Sequence, residues 1–322
     1  MKNLVVAGGG VLGSQIGLQS AYKGKHVTFW LRSEESIERS KQKLEKFYHA
    51  YLADLEGAKK EIGKEHPNYA RGLIDDFSTI TEEKIDQLIS TLKDAYKNIS
   101  FETDLAKAVA DADFVIEAVA EVADVKHEFF KTLSTLLPEK TIVASNSSTM
   151  LPSTFAKDTK REDKYLHFHF ANNIWRMNVG EIMVHPNTAP ETKDAVIKFA
   201  KEIGMVPVVI NKEQPGYILN SLLVPLLNAA QDLLVGEIAD FKDIDKTWKI
   251  STGAPLGPFE ILDVVGIYTP YNLAKAKPGT DDPSSLAGKA VAMYEKMIQE
   301  GRLGKASGKG FYTYDERGNI IA

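Results

Sequence analysis

The run Leu4-Val5-Val6-Ala7 is apolar without a break and stops at glycines, the pattern of a short strand buried on both faces. From Val11 to about Tyr22 the pattern turns helical, with Ile16, Leu18 and Ala21 on one face, and Lys23-Gly24-Lys25 ends it. His26-Val27-Thr28-Phe29-Trp30-Leu31 reads as a second strand. Strand, helix and strand within about 30 residues predict a βαβ unit. Residues 34–97 are long, charged helical stretches: Glu35–Leu55, Lys59–Glu65 and Thr81–Lys97. Leu44, Phe47, Tyr48, Tyr51 and Leu52 form an apolar face in the first of these. The polar run Arg39-Ser40-Lys41-Gln42-Lys43 before it reads as solvated.

Strand patterns resume at Asp113–Val119, Thr141–Ala144, Tyr165–Phe168 and Met205–Ile210. After Pro215-Gly216 they stop, and Tyr217–Leu234, Ile244–Ile250, Phe259–Val265 and Lys289–Gln299 read as helices. The expected fold class is α/β: a doubly wound sheet domain over 1–213 with a helical excursion at 34–97, then an all-α domain over 214–322. At 322 residues, two domains are the natural expectation.

Gly8, Gly10 and Gly13 follow the first strand and open a helix in the G-x-G-x-x-G spacing. The first glycine suits a tight turn, the second lets the backbone approach a pyrophosphate, and the third lets helix and strand pack closely. The helix then offers the amides of Val11 and Leu12 to phosphate. In this context the motif predicts a Rossmann dinucleotide site rather than a glycine-rich turn without function.

An NAD site usually puts Asp or Glu at the end of the second strand, for the ribose hydroxyl. Here that strand ends Leu31-Arg32-Ser33, and no carboxylate comes before Glu34. A missing acid with Arg32 and Ser33 in its place suits a 2′-phosphate, so NADP(H) is expected over NAD(H). The bland alternative makes Arg32 a solvated surface charge.

The net charge of −5 argues against a nucleic-acid partner. The chain has no cysteine, which excludes disulfides, thiolate metal sites and cysteine nucleophiles, and fits a reducing cytoplasm. No metal ligation is expected. No signal peptide is read at the N-terminus, and no membrane span is expected.

Ser145-Asn146-Ser147-Ser148-Thr149 forms a polar strand end. Leu166-His167-Phe168-His169-Phe170-Ala171-Asn172 follows, then Glu181 twelve residues after His169, and later Pro215-Gly216-Tyr217-Ile218-Leu219-Asn220-Ser221. With Phe114–Val119, Gly257-Pro258-Phe259-Glu260 and Gly308-Lys309-Gly310-Phe311-Tyr312, these residues resemble the 3-hydroxyacyl-CoA dehydrogenase family along nearly the whole chain. Asn146–Thr149, His169–Asn172 and Asn220–Leu223 resemble its diketoreductase branch.

The resemblance implies that His169 is the general acid in reduction and the base in oxidation, paired with Glu181. It implies that Ser148 and Asn220 bond the reacting oxygen, and that Glu121 and Lys126 contact the nicotinamide half of the cofactor; Asn146 is a further cofactor-binding candidate. It also implies a homodimer through the C-terminal domain, where Leu222, Leu223, Leu226 and Leu227 offer apolar faces. The chemistry agrees, because hydride transfer to a ketone needs a proton donor titrating near neutrality. From the residues alone His167 is a rival to His169, and Ser147 to Ser148.

Members acting on acyl-CoA usually read His-Phe-Phe-Asn-Pro and Asn-Arg where this chain has His169-Phe170-Ala171-Asn172-Asn173 and Asn220-Ser221. Trp175 and Arg176 are bulky additions near the expected pocket, and Arg176 is a candidate partner for a free substrate carboxylate. Lys59, Lys60 and Lys64 read as a solvated helix face. The substrate is expected to be a small β-keto or β-hydroxyacyl compound, reversibly reduced or oxidised. CoA-linked substrates and free acids or esters both remain open. A non-enzymatic nucleotide-binding or structural protein is the reading from another class.

Overall fold

The alternation of side chains along β1 (Asn3–Ala7) explains the architecture. Leu4 and Val6 join one buried cluster with Ile16, Val196 and Phe199. Val5 and Ala7 join another with Phe129 and Phe130. A strand apolar on both faces needs helices on both. The computed structural model describes residues 1–316 and 318–321 and separates the chain into two compact units, Met1–Ile218 and Leu219–Ala322.

The first unit carries an eight-stranded sheet. Its remaining strands are β2 (His26–Trp30), β3 (Ser100–Glu102), β4 (Phe114–Glu117), β5 (Ile142–Ser145), β6 (Tyr165–Phe170), β7 (Val179–Met183) and β8 (Val206–Ile210). Their spatial order is β3-β2-β1-β4-β5-β6-β7-β8, and every neighbouring pair is parallel except β6 and β7. The order reverses between β1 and β4, where open α/β sheets bind ligands at the strands' carboxyl ends. The helices of this unit are α1 (Val11–Tyr22), α2 (Glu34–Lys59), α3 (Glu82–Lys97), α4 (Leu105–Val109), α5 (Ala123–Leu133), α6 (Pro152–Phe155) and α7 (Pro190–Glu202).

The helical excursion differs from its sequence reading in two ways. Residues 60–65 hold turns, not the helix expected over Lys59–Glu65. Half-buried Lys59 pairs with Glu56 and Asp86, and exposed Lys64 pairs with Glu61, so both are engaged in ion pairs. In α2 the buried face begins before Leu44, because Ile37 and Ser40 are already buried. Ser40 packs against the glycine loop, where any side chain on Gly9 would collide with it.

The second unit holds most of α8 (Tyr217–Val235), then α9 (Phe241–Thr252), α10 (Pro258–Val265), α11 (Tyr268–Lys275) and α12 (Leu286–Gln299). The sequence reading did not anticipate α11, nor the isolated bridges that join residues 304–320. Two buried carboxylates staple this unit. Asp245 on α9 accepts from the amides of Phe259 and Glu260 at 2.8 and 3.0 Å and from the Tyr312 hydroxyl at 3.0 Å. Asp263 accepts from the amides of Phe311 and Tyr312 and from the Tyr314 hydroxyl. The Gly257–Glu260 and Gly308–Tyr312 motifs thus serve packing. Helix α8, with 19 residues, is long and apolar enough to cross a bilayer by length and composition alone, a test that a core helix also passes.

Candidate active site

The glycine loop turns where β1 ends. Gly8 adopts φ +123°, a region L side chains avoid, and a Cβ there would collide with the Ala118 carbonyl. A Cβ on Gly13 would strike the Gly8 carbonyl. Gly10 meets nothing within 4 Å, so its surface is open. The first bond of α1 runs from Ser14 N to Gly10 O, which leaves the amides of Val11, Leu12 and Gly13 in a first turn that offers no helical acceptor.

A cleft of about 690 Å³ opens beside this loop, with Gly8, Gly9 and Gly10 at one end. The ends of β2 and β4, one side of α5, the start of α4 and part of α2 form the rest of its wall. Open backbone at Gly10, helix amides and a cleft at the sheet's switch point fit a dinucleotide pyrophosphate.

At the end of β2, Leu31 is buried at the place of the usual acid, and Arg32 lines the cleft. Ser33 acts as the N-cap of α2, its hydroxyl accepting from Ser36 N at 3.3 Å. Ser36, Arg39 and Lys43 line the cleft instead. The sequence reading placed Arg39 and Lys43 on a solvated face. Their spacing from Ser36 puts all three along one side of α2.

The second part of the site is built on β6 and β7. Their antiparallel register sets His169 directly opposite Glu181. Two cross-strand partners share a face, which gives the twelve-residue spacing its physical meaning. His169 Nδ1 lies 3.1 Å from Glu181 Oε2, and His169 Nε2 lies 3.1 Å from Ser148 Oγ. Both His169 and Glu181 are 4% exposed. The structure therefore brings Ser148, His169 and Glu181 into one chain of hydrogen bonds. Ser147 instead donates its hydroxyl to Glu121 at 2.6 Å.

Glu121 organises the polar strand end. Its Oε1 also accepts from the Ser148 and Thr149 amides and the Thr149 hydroxyl, at 3.0 to 3.1 Å. Burial pushes its carboxyl up, but the Ser147 hydroxyl, the Lys126 charge and the Thr149 donors hold it below the usual value. Lys126 is buried, 3.2 Å from Glu121 and 2.6 Å from Glu117. Glu117, whose role the sequence left unread, also accepts from the Val119 amide and the Ser145 hydroxyl. Burial pushes the Glu117 carboxyl above its usual range, and the Lys126 ammonium opposes that shift. Asn146 ties strand ends together, its Oδ1 accepting from Phe170 N at 3.2 Å.

His167 has another role. Its Nε2 lies 3.0 Å from the Tyr165 hydroxyl and its Nδ1 lies 3.0 Å from the Tyr217 hydroxyl. Burial, then the Lys126 charge, lowers its pKa to about 3, so it is neutral at physiological pH. The Tyr217 hydroxyl donates to the Ser147 carbonyl at 2.6 Å, so it accepts from His167 Nδ1–H. Tyr217 was named in the sequence only as part of a motif. Its ring stacks on His169, with centroids 4.3 Å apart at 15°. The next amide, Ile218 N, donates to Glu181 Oε1 at 2.9 Å. One turn thus touches three catalytic candidates or their neighbours.

Two expectations need correction. Arg176 is not available to a substrate carboxylate, because its guanidinium forks onto Asp54 through Nε at 2.6 Å and through Nη2. Trp175 is 4% exposed and packs on Tyr51 and Phe47, so it belongs to the core. Asn220 lies in the second unit, near the start of α8.

The chain matches the family profile for the NAD-binding domain of 3-hydroxyacyl-CoA dehydrogenase over residues 3–214, and the profile for its C-terminal domain over 216–314. The mitochondrial hydroxyacyl-coenzyme A dehydrogenase of Sus scrofa is 32% identical over 314 residues, covering 98% of this chain and 91% of that one. Its Homo sapiens counterpart gives the same identity and coverage. Among solved structures, a diketoreductase described as catalysing reactions of dicarbonyl compounds is 41% identical, with a TM-score of 0.82, covering 98% of this chain and 99% of that one. M. tuberculosis FadB2 is 26% identical at a TM-score of 0.75, with the same coverage. The chain belongs to the 3-hydroxyacyl-CoA dehydrogenase family of oxidoreductases, which act on CH–OH donors.

Proposed function

We propose that this protein reversibly reduces a β-keto acyl compound, with His169 as the proton donor and NADPH preferred to NADH. The observation that carries the chemistry is the bridge His169 makes between Ser148 and Glu181. The nicotinamide supplies the hydride when the cofactor is bound. His169 Nε2 gives a proton to the oxygen that becomes alkoxide, and takes it back in the oxidative direction. Glu181 holds Nδ1 protonated and stabilises the imidazolium. Ser148 donates to the reacting oxygen. Asn220 is assigned the same task on the family pattern. Glu121 and Lys126 act at the nicotinamide end, where Glu121 also fixes the Ser147–Thr149 loop.

NADPH preference rests on the missing acid at Leu31 and on Arg32 in the cleft wall. Both a CoA thioester and a free ester or acid fit the chemistry. Likeness to a diketoreductase favours the CoA-independent substrate as the second reading. We also assign a homodimer through the C-terminal unit, supported by exposed apolar residues on α8 such as Leu222, which is 70% exposed.

One set of assays tests these points. Values of kcat/KM with NADPH and NADH against acetoacetyl-CoA, a β-keto ester and a free 3-keto acid identify cofactor and substrate class. An NADH preference of about tenfold or more, worth about 1.4 kcal/mol, overturns the NADPH assignment. A monomer by light scattering at micromolar concentration overturns the dimer.

A further inference from the structure

Helix α2 presents two unassigned cations to the cofactor cleft. Arg39 and Lys43 line it beside Arg32 and Ser36. Arg39 Nη2 donates to Ser36 Oγ at 2.8 Å, and Ser36 Oγ lies 3.2 Å from Ser33 Oγ. Lys43 Nζ donates to the Gly9 carbonyl at 3.3 Å, so the ammonium stands against the glycine loop. Among the cleft-lining residues Glu128 is the acid.

Lys41 makes a control on the same helix. It does not line the cleft and pairs with Glu38 at 2.7 Å. Among the described residues, no carboxylate lies within 4 Å of the Arg32, Arg39 or Lys43 charge, although Glu35, four residues before Arg39 on α2, is attracted to the Arg39 guanidinium. Arg39 and Lys43 are four residues apart, so their like charges work against the helix that carries them. A solvated face needs no such convergence on a concave wall, whereas an anion needs several donors at one place.

We propose that Ser36, Arg39 and Lys43 form an anion subsite that, with Arg32, takes the 2′-phosphate of the bound dinucleotide. This rests on the NADPH reading and assigns its ligands. Arg39 supplies a planar fork already oriented by Ser36, and Lys43 supplies a point charge between that phosphate and the glycine loop. Ser33 contributes indirectly, by capping α2 and holding Ser36.

Isothermal titration calorimetry with two cofactor fragments, 2′,5′-ADP and 5′-ADP, tests the subsite without turnover. The wild type is expected to bind 2′,5′-ADP at least about tenfold tighter than 5′-ADP. Arg39→Ala and Lys43→Ala are each expected to weaken 2′,5′-ADP about tenfold and to change 5′-ADP by less than about threefold. Arg39 is exposed and Lys43 half-buried, and a thermal melt confirms that each variant is folded. If the wild type prefers 2′,5′-ADP and both variants keep that preference, the subsite is overturned while the NADPH reading stands on Arg32. If the variants weaken both fragments equally, the cations serve the pyrophosphate and the assignment is wrong. If the wild type shows no preference, the subsite and the NADPH reading fall together.

Discussion

At one end of the first unit, His169, Glu181 and His167 are buried, and each makes hydrogen bonds at defined distances. At the other, Arg32 and Arg39 stand exposed along an open cleft wall. On the proposed function, the difference follows from the task assigned to each end. Proton transfer needs an imidazole fixed in one tautomer and one direction, so its partners are locked in a dry site where electrostatic interactions are strong. Selection between two cofactors that differ by one phosphate needs charge at the right place, and solvent can fill that place until the anion arrives. Changes at the buried end should therefore act on rate, and changes at the open end on affinity.

The largest effect is expected from Glu181→Gln. Without the carboxylate, His169 loses the partner that sets its tautomer, and kcat should fall about 10²- to 10³-fold while NADPH affinity stays the same. A fall in NADPH affinity that matched the fall in kcat would erase the separation between the two ends.

The next effect is on stability. His167 has a folded pKa of about 3 against 6.5 for the free side chain. The unfolded chain takes up a proton near pH 6.5 that the folded chain refuses, so stability falls as the pH drops from about 6.5 toward 3. The slope from this one group is about 1.4 kcal/mol per pH unit. Urea denaturation at pH 7 and pH 5 should show a smaller loss in His167→Gln than in the wild type. Equal losses would mean that His167 is not kept neutral by burial.

At the open end, Arg32→Ala should lower kcat/KM with NADPH about tenfold and leave NADH within about twofold. An equal fall with both cofactors would assign Arg32 to general binding. The smallest effect is expected from Tyr217→Phe. It keeps the ring on His169 but removes the hydroxyl between His167 and the Ser147 carbonyl. One lost hydrogen bond, about 1 kcal/mol, should lower kcat about fivefold with KM little changed. Tyr217→Leu, which removes the ring as well, should cost more. If Phe and Leu behave alike, the stacking does not hold His169.

The open end's glycines and the buried end's histidine were both named from the sequence, but on different grounds. Gly8, Gly10 and Gly13 were legible because their spacing follows from backbone geometry. His169 and Glu181 were linked by family resemblance, since the strand that carries Glu181, Val179–Met183, contains a glycine and has no strand-like alternation. Only the register of β6 and β7 explains their spacing. Arg39 and Lys43 were legible only as polar positions, because a hydropathy pattern cannot tell a cleft wall from open solvent, both of which favour polar side chains. Tyr217 was hidden because its partners, His167, His169 and Ser147, lie 48 to 70 residues away in sequence. Glu117 and Lys126 escaped as a pair because a buried ion pair looks, in sequence, like two surface charges.

The most direct test of the account compares wild type and His169→Asn with acetoacetyl-CoA and with a β-keto ester, in the presence of saturating NADPH. The account predicts wild-type turnover of at least one substrate, a loss of about 10²-fold or more in kcat for the variant, and the same NADPH dissociation constant for both proteins. A wild type that turns over neither substrate while binding NADPH tightly, or a variant that keeps its kcat, would contradict it.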